Sequence, residues 1–222
     1  MNTTKTLEFF NADELTAPIS IIGCGAIGSS ITELLVRMGC TNIKLYDFDI
    51  VASHNIANQK FIDSDIGQAK VDAVEAYAKA INPSVHITKY YEGLQEPYYV
   101  TGYVYLCVDN IELRKRIVEA NKYNRNIKMM IDCRMRLTDA QCYFADWWDI
   151  DSINMLLSTM DFTQEEANAA TPKSACGTEL SVCYTVQAIS CIAARNLVSF
   201  VHGNYVQPVT IIDMNELCIG GV

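Results

Sequence analysis

The apolar residues of this chain fall into short runs at residues 19–22, 43–46, 85–87, 103–108, 129–131 and 141–144, each of strand length. Between the early runs lie helically spaced stretches at 27–38, 68–81 and 111–123; in the second, Val71, Val74, Tyr77, Ala78 and Ile81 share one face. Strand alternating with helix predicts an α/β fold, Rossmann-like and doubly wound, whose mainly parallel sheet carries helices on both faces. Residues 149–177 break the pattern. They are polar, interrupted by Thr171, Pro172 and Lys173, and read as a crossover connection with one or two short helices. An apolar helix is expected over 180–201, stopped by Gly203, and a last strand over 209–212. No repeat or low-complexity tract interrupts the chain, so residues 1–222 read as one domain.

In a sheet of this kind a ligand sits beyond the carboxyl ends of the strands. The turn after the first run is Gly23-Cys24-Gly25-Ala26-Ile27-Gly28, a G-x-G-x-x-G that opens the first helix. Glycines there let backbone amides and a helix N-terminus approach phosphate oxygens, and Asp47, closing the second run, is placed to meet a ribose hydroxyl. Asp109 closes the fourth run at the same end. The glycine turn alone does not say which nucleotide binds.

Half of the 222 residues are hydrophobic and 19% are charged, as in a globular protein with a sizeable core. A net charge of −9 argues against nucleic acid as a partner, because such a surface needs cations to neutralise phosphates. The longest uncharged stretch, 180–194, falls short of the roughly 18 apolar residues a membrane span requires. Nine cysteines, an odd number with no C-x-x-C pair, disfavour a four-cysteine zinc site. With no signal-peptide pattern, they favour free thiols in a reducing cytoplasm. Cys24, Cys107, Cys183 and Cys191 read as core residues, and His54, His86 and His202 are too scattered to suggest a metal site. Trp147-Trp148 reads either as a cover for the end of the sheet or as an exposed contact patch.

Downstream of the glycine turn come Asp47-Phe48-Asp49, then Asn55-Ile56-Ala57-Asn58-Gln59, then Gln68-Ala69-Lys70, then Asp109-Asn110 with Arg114. In this order and spacing the series resembles the MoeB/ThiF family of adenylating enzymes, which includes the ubiquitin-activating enzymes. The likeness is close over residues 17–125 and looser beyond. It implies an ATP-dependent adenylyltransferase acting on the C-terminal glycine carboxylate of a small ubiquitin-like or sulfur-carrier protein, or of a peptide, with release of pyrophosphate. It also implies Mg²⁺, a carrier ending in Gly-Gly, and a homodimer. By match to the family, Gly23, Gly25, Ala26 and Gly28 lie against the nucleotide and Asp47 bonds the ribose. Lys70 touches the phosphates, Asp109 organises Mg²⁺, and Asn55, Asn58, Gln59 and Asn110 line the site. Asp49 is either a ligand contact or structural.

Two positions bear on turnover. Asn58 stands where the family usually has arginine, and an amide supplies neither that residue's charge nor its forked donors. A transition-state arginine in other phosphoryl-transfer systems contributes roughly 10³–10⁵ in rate. Lys60 or a partner subunit could supply the cation, or the chain binds nucleotide without efficient turnover. Cys176, on the polar connection ahead of the last helix, matches the place of the family's thioester- or persulfide-forming cysteine, though members that only adenylate need none. Two other classes use part of the same evidence. An NAD-dependent oxidoreductase would employ the glycine turn and Asp47 but not Lys70 or Asp109, and a non-catalytic partner subunit would bind nucleotide or carrier only. The glycine pair at 220–221 reads as a flexible end.

Overall fold

The computed structural model describes residues 1–175, 177 and 180–221. Its centre is a pair of wholly buried parallel strands, β1 (Ile19–Ile22) and β4 (Gly102–Leu106), joined in register from Ile19 against Tyr103 to Ile22 against Leu106. β2 (Asn42–Tyr46) and β3 (His86–Tyr90) extend the sheet on one side of β1, and β5 (Ile127–Arg136) extends it beside β4, all parallel. Three antiparallel strands follow: β6 (Asp139–Asp146), β7 (Val209–Asp213) and β8 (Cys218–Gly221). The order is β3-β2-β1-β4-β5-β6-β7-β8. The chain therefore reverses direction across the sheet between β1 and β4, the point at which sheets of this kind place their ligands.

Period-two alternation sorts the strand side chains onto two apolar faces. Ile19, Ile21, Tyr103, Tyr105, Met129 and Ile131 belong to one core, with α1 (Ala26–Arg37), α2 (Lys70–Ile81) and α6 (Cys183–Val201) covering it through Ile31, Leu35, Val71, Val74, Ile189 and Leu197. Ile22, Val104, Leu106 and Met130 belong to the other, beneath α3 (Ile111–Asn121) and α4 (Ile150–Ser158), which contribute Ile117, Ile153 and Leu156. The fold is thus α/β and doubly wound, with a mainly parallel sheet. No helix among the described residues is long and apolar enough to cross a membrane.

Several boundaries differ from the sequence reading. β3 runs on through Lys89 to Tyr90 because it is an edge strand, where alternate side chains reach water. β5 continues past its apolar run to Arg136, carried by pairing with β6. The connection at 149–177 contains α4 and α5 (Gln164–Ala170), begun by Asp149 and by a Thr163/Glu166 capping box. Gly220 and Gly221 lie in β8, opposite Ile211 and Thr210, rather than in a loose tail. Cys183 and Cys191 are exposed rather than core. On α6 Cys191 lies two residues from both Ile189 and Ala193, which turns it away from the face packed on the sheet.

Candidate active site

At Gly23 and Gly28 the glycine turn is fixed by contacts that leave no room for a side chain. Gly23 has φ +94, and a Cβ there would stand 2.9 Å from the Cys107 carbonyl and the Val108 amide. A Cβ on Gly28 would overlap the Gly23 carbonyl oxygen. Gly25 is different, because a Cβ there would meet nothing within 4 Å. As N-cap of α1, Gly25 has no side chain to satisfy the first-turn amides, which stay available to an anion.

Asp47 leaves β2 beside this turn. Its Oδ2 accepts from the Cys24 amide at 2.6 Å and its Oδ1 from the Asp49 amide at 2.8 Å. Burial raises its carboxyl above the usual carboxylate range, against the two amides and the Lys70 charge, which lower it. Asp49 in turn holds Lys70: its Oδ2 accepts from Nζ at 2.7 Å and its carbonyl accepts from the Lys70 amide at 2.9 Å. A bridge between Ile50 and Ala69 closes the intervening loop and brings the two together. Lys70 is the first residue of α2 and is 7% exposed. A cation at the positive end of a helix is locally unfavourable, so its presence there needs an anion.

Asn55 and Gln59 lie on the loop between. The Asn55 Oδ1 accepts from the Ala52 amide at 2.9 Å, closing a 3-10 turn, and Gln59 Oε1 is buried without a hydrogen-bond partner. Asn58 is half-buried nearby. Lys60 does not stand free to replace an arginine at 58. Its Nζ pairs with Glu33 of α1 at 2.7 Å and its amide donates to Ser29 Oγ.

Asp109 follows β4, two residues beyond the Cys107 backbone that Gly23 packs against. It is exposed and makes no hydrogen bond or ion pair among the described residues. Asn110 next to it caps α3, its Oδ1 accepting from the Leu113 amide at 2.8 Å. Arg114, one turn on, is buried and donates to the carbonyls of Leu106, Val108 and Cys133 and to the Asp132 carboxylate, so it holds the Asp109 loop against the sheet. Thus, at the reversal point of the sheet, the turn at 23–28 is bonded to the strand end at 47–49, which holds Lys70 through Asp49, and packs through Gly23 against the strand end at 107–108 that leads to Asp109. Cys176 lies outside the described residues.

Three contributors escaped the sequence reading. Asp132, fully buried in β5, lies between Arg114 and Arg134, whose Nε donates to its Oδ2 at 2.8 Å. Arg134 also grips the end of α4 through the Thr159 carbonyl and hydroxyl. The signal was there: two charges, Asp132 and Arg134, following an apolar strand run. Gln164 gave none, yet its Oε1 accepts from the Ile111 amide at 2.8 Å and ties α5 beside Asp109. Burial pushes the Cys24 thiol well up, and the Cys107 thiol to about 12, so neither is a nucleophile at neutral pH. No disulfide joins the described cysteines, and no cluster of three metal-ligating side chains occurs among the described residues.

Comparison with known proteins adds independent information. The family model described as the ThiF family matches residues 13–216. The molybdopterin-synthase adenylyltransferase of Haemophilus influenzae is 28% identical over 122 residues, covering 51% of this chain and 49% of the relative. Ubiquitin-like modifier-activating enzyme 5 of Rattus norvegicus is 33% identical over 120 residues, covering 46% of this chain and 30% of the relative. The chain therefore spans half or less of the length of these two relatives. Among solved structures, E. coli MccB superposes with TM-score 0.68 at 17% identity in its complex with ATP, covering 95% of this chain and 65% of that one. In its complex with MccA the TM-score is 0.71 at 16% identity, covering 100% and 72%. At such identity the superposition establishes the fold alone.

Proposed function

This chain belongs to the ThiF family, and on that premise we propose that it is an ATP-dependent adenylyltransferase acting on the C-terminal carboxylate of a small ubiquitin-like or sulfur-carrier protein or of a peptide. The observation that carries the reading is the grouping of three loops at the reversal point of the sheet: a glycine turn with open space at Gly25, a lysine bonded back to that turn through Asp49 and Asp47, and an exposed Asp109 beyond the Cys107 backbone against which Gly23 packs. Relatives named as adenylyltransferases and ubiquitin-like activating enzymes support it, as do the MccB complexes with ATP and with MccA.

The reaction joins a carboxylate oxygen to the α-phosphorus of ATP and breaks the bond to the β-phosphate, whose electrons leave with pyrophosphate. Two anions must be brought together, so positioning and charge neutralisation dominate. The first-turn amides of α1 and the open space at Gly25 suit the phosphates, and the Asp47 carboxylate, its oxygens already oriented by two amides, suits a ribose hydroxyl. Lys70 passes from Asp49 to the phosphates. The exchange costs little, because the Asp49 side chain is 48% exposed and water takes over its solvation. The residues also fit Mg²⁺, which is held by one or two carboxylates together with substrate phosphates rather than by a protein cage. Asp109 would supply the carboxylate, and the ion, when bound, would neutralise charge on the phosphates. The homodimer inferred from the family, and the cytoplasmic setting, belong to the same proposal.

With Asn58 uncharged and Lys60 committed to Glu33, Lys70 carries most of the side-chain cation work. ATP–pyrophosphate exchange with candidate carriers or peptides tests this. Lys70→Ala and Asp109→Ala should each abolish exchange with an unchanged circular-dichroism spectrum, and Asn58→Arg should raise it. Exchange that survives both losses would refute the assignment, and ATP binding without exchange for every acceptor would instead favour the non-catalytic partner subunit.

A further inference from the structure

At the opposite end of the sheet, beyond the amino ends of the parallel strands, lies a second surface. Lys122, Tyr123 and Arg125 sit on the turn between α3 and β5, Lys128 is the second residue of β5, and Trp147-Trp148 follow β6. Trp147 is buried, with its indole N–H donating to the Asn121 carbonyl at 3.0 Å, so it covers the end of the sheet. Trp148 is 57% exposed and Tyr123 81%. The guanidinium of Arg125 lies 5.2 Å, and the ammonium of Lys128 5.8 Å, from the Trp148 ring centre; Lys122 lies 5.9 Å from that of Tyr123.

These three cations make no salt bridge among the described residues, although the chain has a net charge of −9 and most of its other lysines and arginines are paired with carboxylates. The nearby acids serve their own backbone: Asp146 accepts from the Trp148 amide and Asp149 from the Asp151 amide. A hollow of about 120 Å³, lined by Lys122, Tyr123, Arg125, the two tryptophans, Ile150 and Ile153, lies at the centre of the patch. That is below the roughly 300–1,000 Å³ of small-molecule sites and suits a single side chain.

We infer that this patch docks an acidic segment of a partner polypeptide, which seats one apolar side chain in the hollow while its carboxylates meet Lys122, Arg125 and Lys128. Cations held over aromatic rings are already ordered, so less side-chain entropy is lost when they bind. Tryptophan, tyrosine and arginine are also the residues that anchor protein interfaces. A nucleic acid is disfavoured because three cations on a strongly acidic chain offset little of a polyanion's charge. The surface lies at the opposite end of the parallel strands from the glycine turn, so docking leaves the proposed nucleotide site accessible.

The test is fluorescence anisotropy with the whole chain and a labelled glutamate-rich peptide bearing one central phenylalanine. Its lysine counterpart and a short oligothymidylate serve as comparators. Saturable binding of the acidic peptide is expected, weakening with salt and falling by about tenfold or more in Arg125→Glu, in Lys128→Glu and in Trp148→Ala. Lys5→Glu, which is not among the residues of the patch, should leave it unchanged. The inference is overturned if binding is absent at about 1 mM, if the three variants bind like the parent, or if the oligothymidylate binds more tightly. None of these readings depends on adenylation, so each stands or falls apart from it.

Discussion

Gly25 and Gly28 stand three residues apart in one turn and are expected to answer substitution in opposite ways. A methyl group on Gly28 collides with the Gly23 carbonyl oxygen, whereas one on Gly25 enters open space. Gly28→Ala should therefore cost about 1–3 kcal/mol of stability in urea unfolding, the usual range for overpacking. Gly25→Ala should leave stability nearly unchanged yet weaken ATP binding by about tenfold or more, near 1.4 kcal/mol, because the methyl occupies the space a phosphate needs. Equal ATP affinity in Gly25→Ala and the parent would remove the turn from the site. At this scale much was legible in the sequence. The glycines, Asp47 and Lys70 stand out by residue type and spacing, and the structure bonds Lys70 to the turn through Asp49 and Asp47. For Asp49 the structure adds an ion pair to Lys70, and the choice between ligand contact and structural role stays open. What could not be read was where Lys60 points, because a loop lysine pairs with whichever acid the fold presents, here Glu33.

Among the elements, β5 has the most to reveal. Its inner half is apolar and was readable as a strand, but Asp132 is fully buried between Arg114 of α3 and Arg134, which also holds the end of α4. One carboxylate thus joins two helices to the central sheet and steadies the loop that carries Asp109. Removing one partner of a buried charge network typically costs about 3–5 kcal/mol because the remaining charges lose compensation. Asp132→Asn should show a loss of that order in urea unfolding, with reduced ATP affinity as a consequence. A near-neutral effect would mean that the arginines hold the loop through carbonyls alone. The short helices α4 and α5 carried readable caps at Asp149 and at Thr163/Glu166. β8 carried no such mark, since a Gly-Gly pair has low strand propensity and only its pairing with β7 makes it a strand.

Over the whole molecule, the strand order β3-β2-β1-β4-β5 decides where chemistry can occur, and it follows from strands that alternate with crossover helices. That much was implicit in hydrophobic spacing. The antiparallel extension through β6, β7 and β8 depends on pairings far apart in sequence and could be foreseen only in part. On the proposed reading, nucleotide chemistry falls at the carboxyl ends of the parallel strands, away from a cationic, aromatic surface at their amino ends whose cations make no salt bridge among the described residues. The central claim, one ATP site built from the glycine turn, Lys70 and Asp109, is tested most directly by a crystal structure with a non-hydrolysable ATP analogue and Mn²⁺, the metal located by anomalous scattering. The account predicts phosphates against Gly25 and the first turn of α1, metal beside Asp109, and Lys70 Nζ moved from Asp49 to a phosphate oxygen. A nucleotide bound elsewhere, or bound at the turn with Lys70 and Asp109 both out of reach, would contradict it.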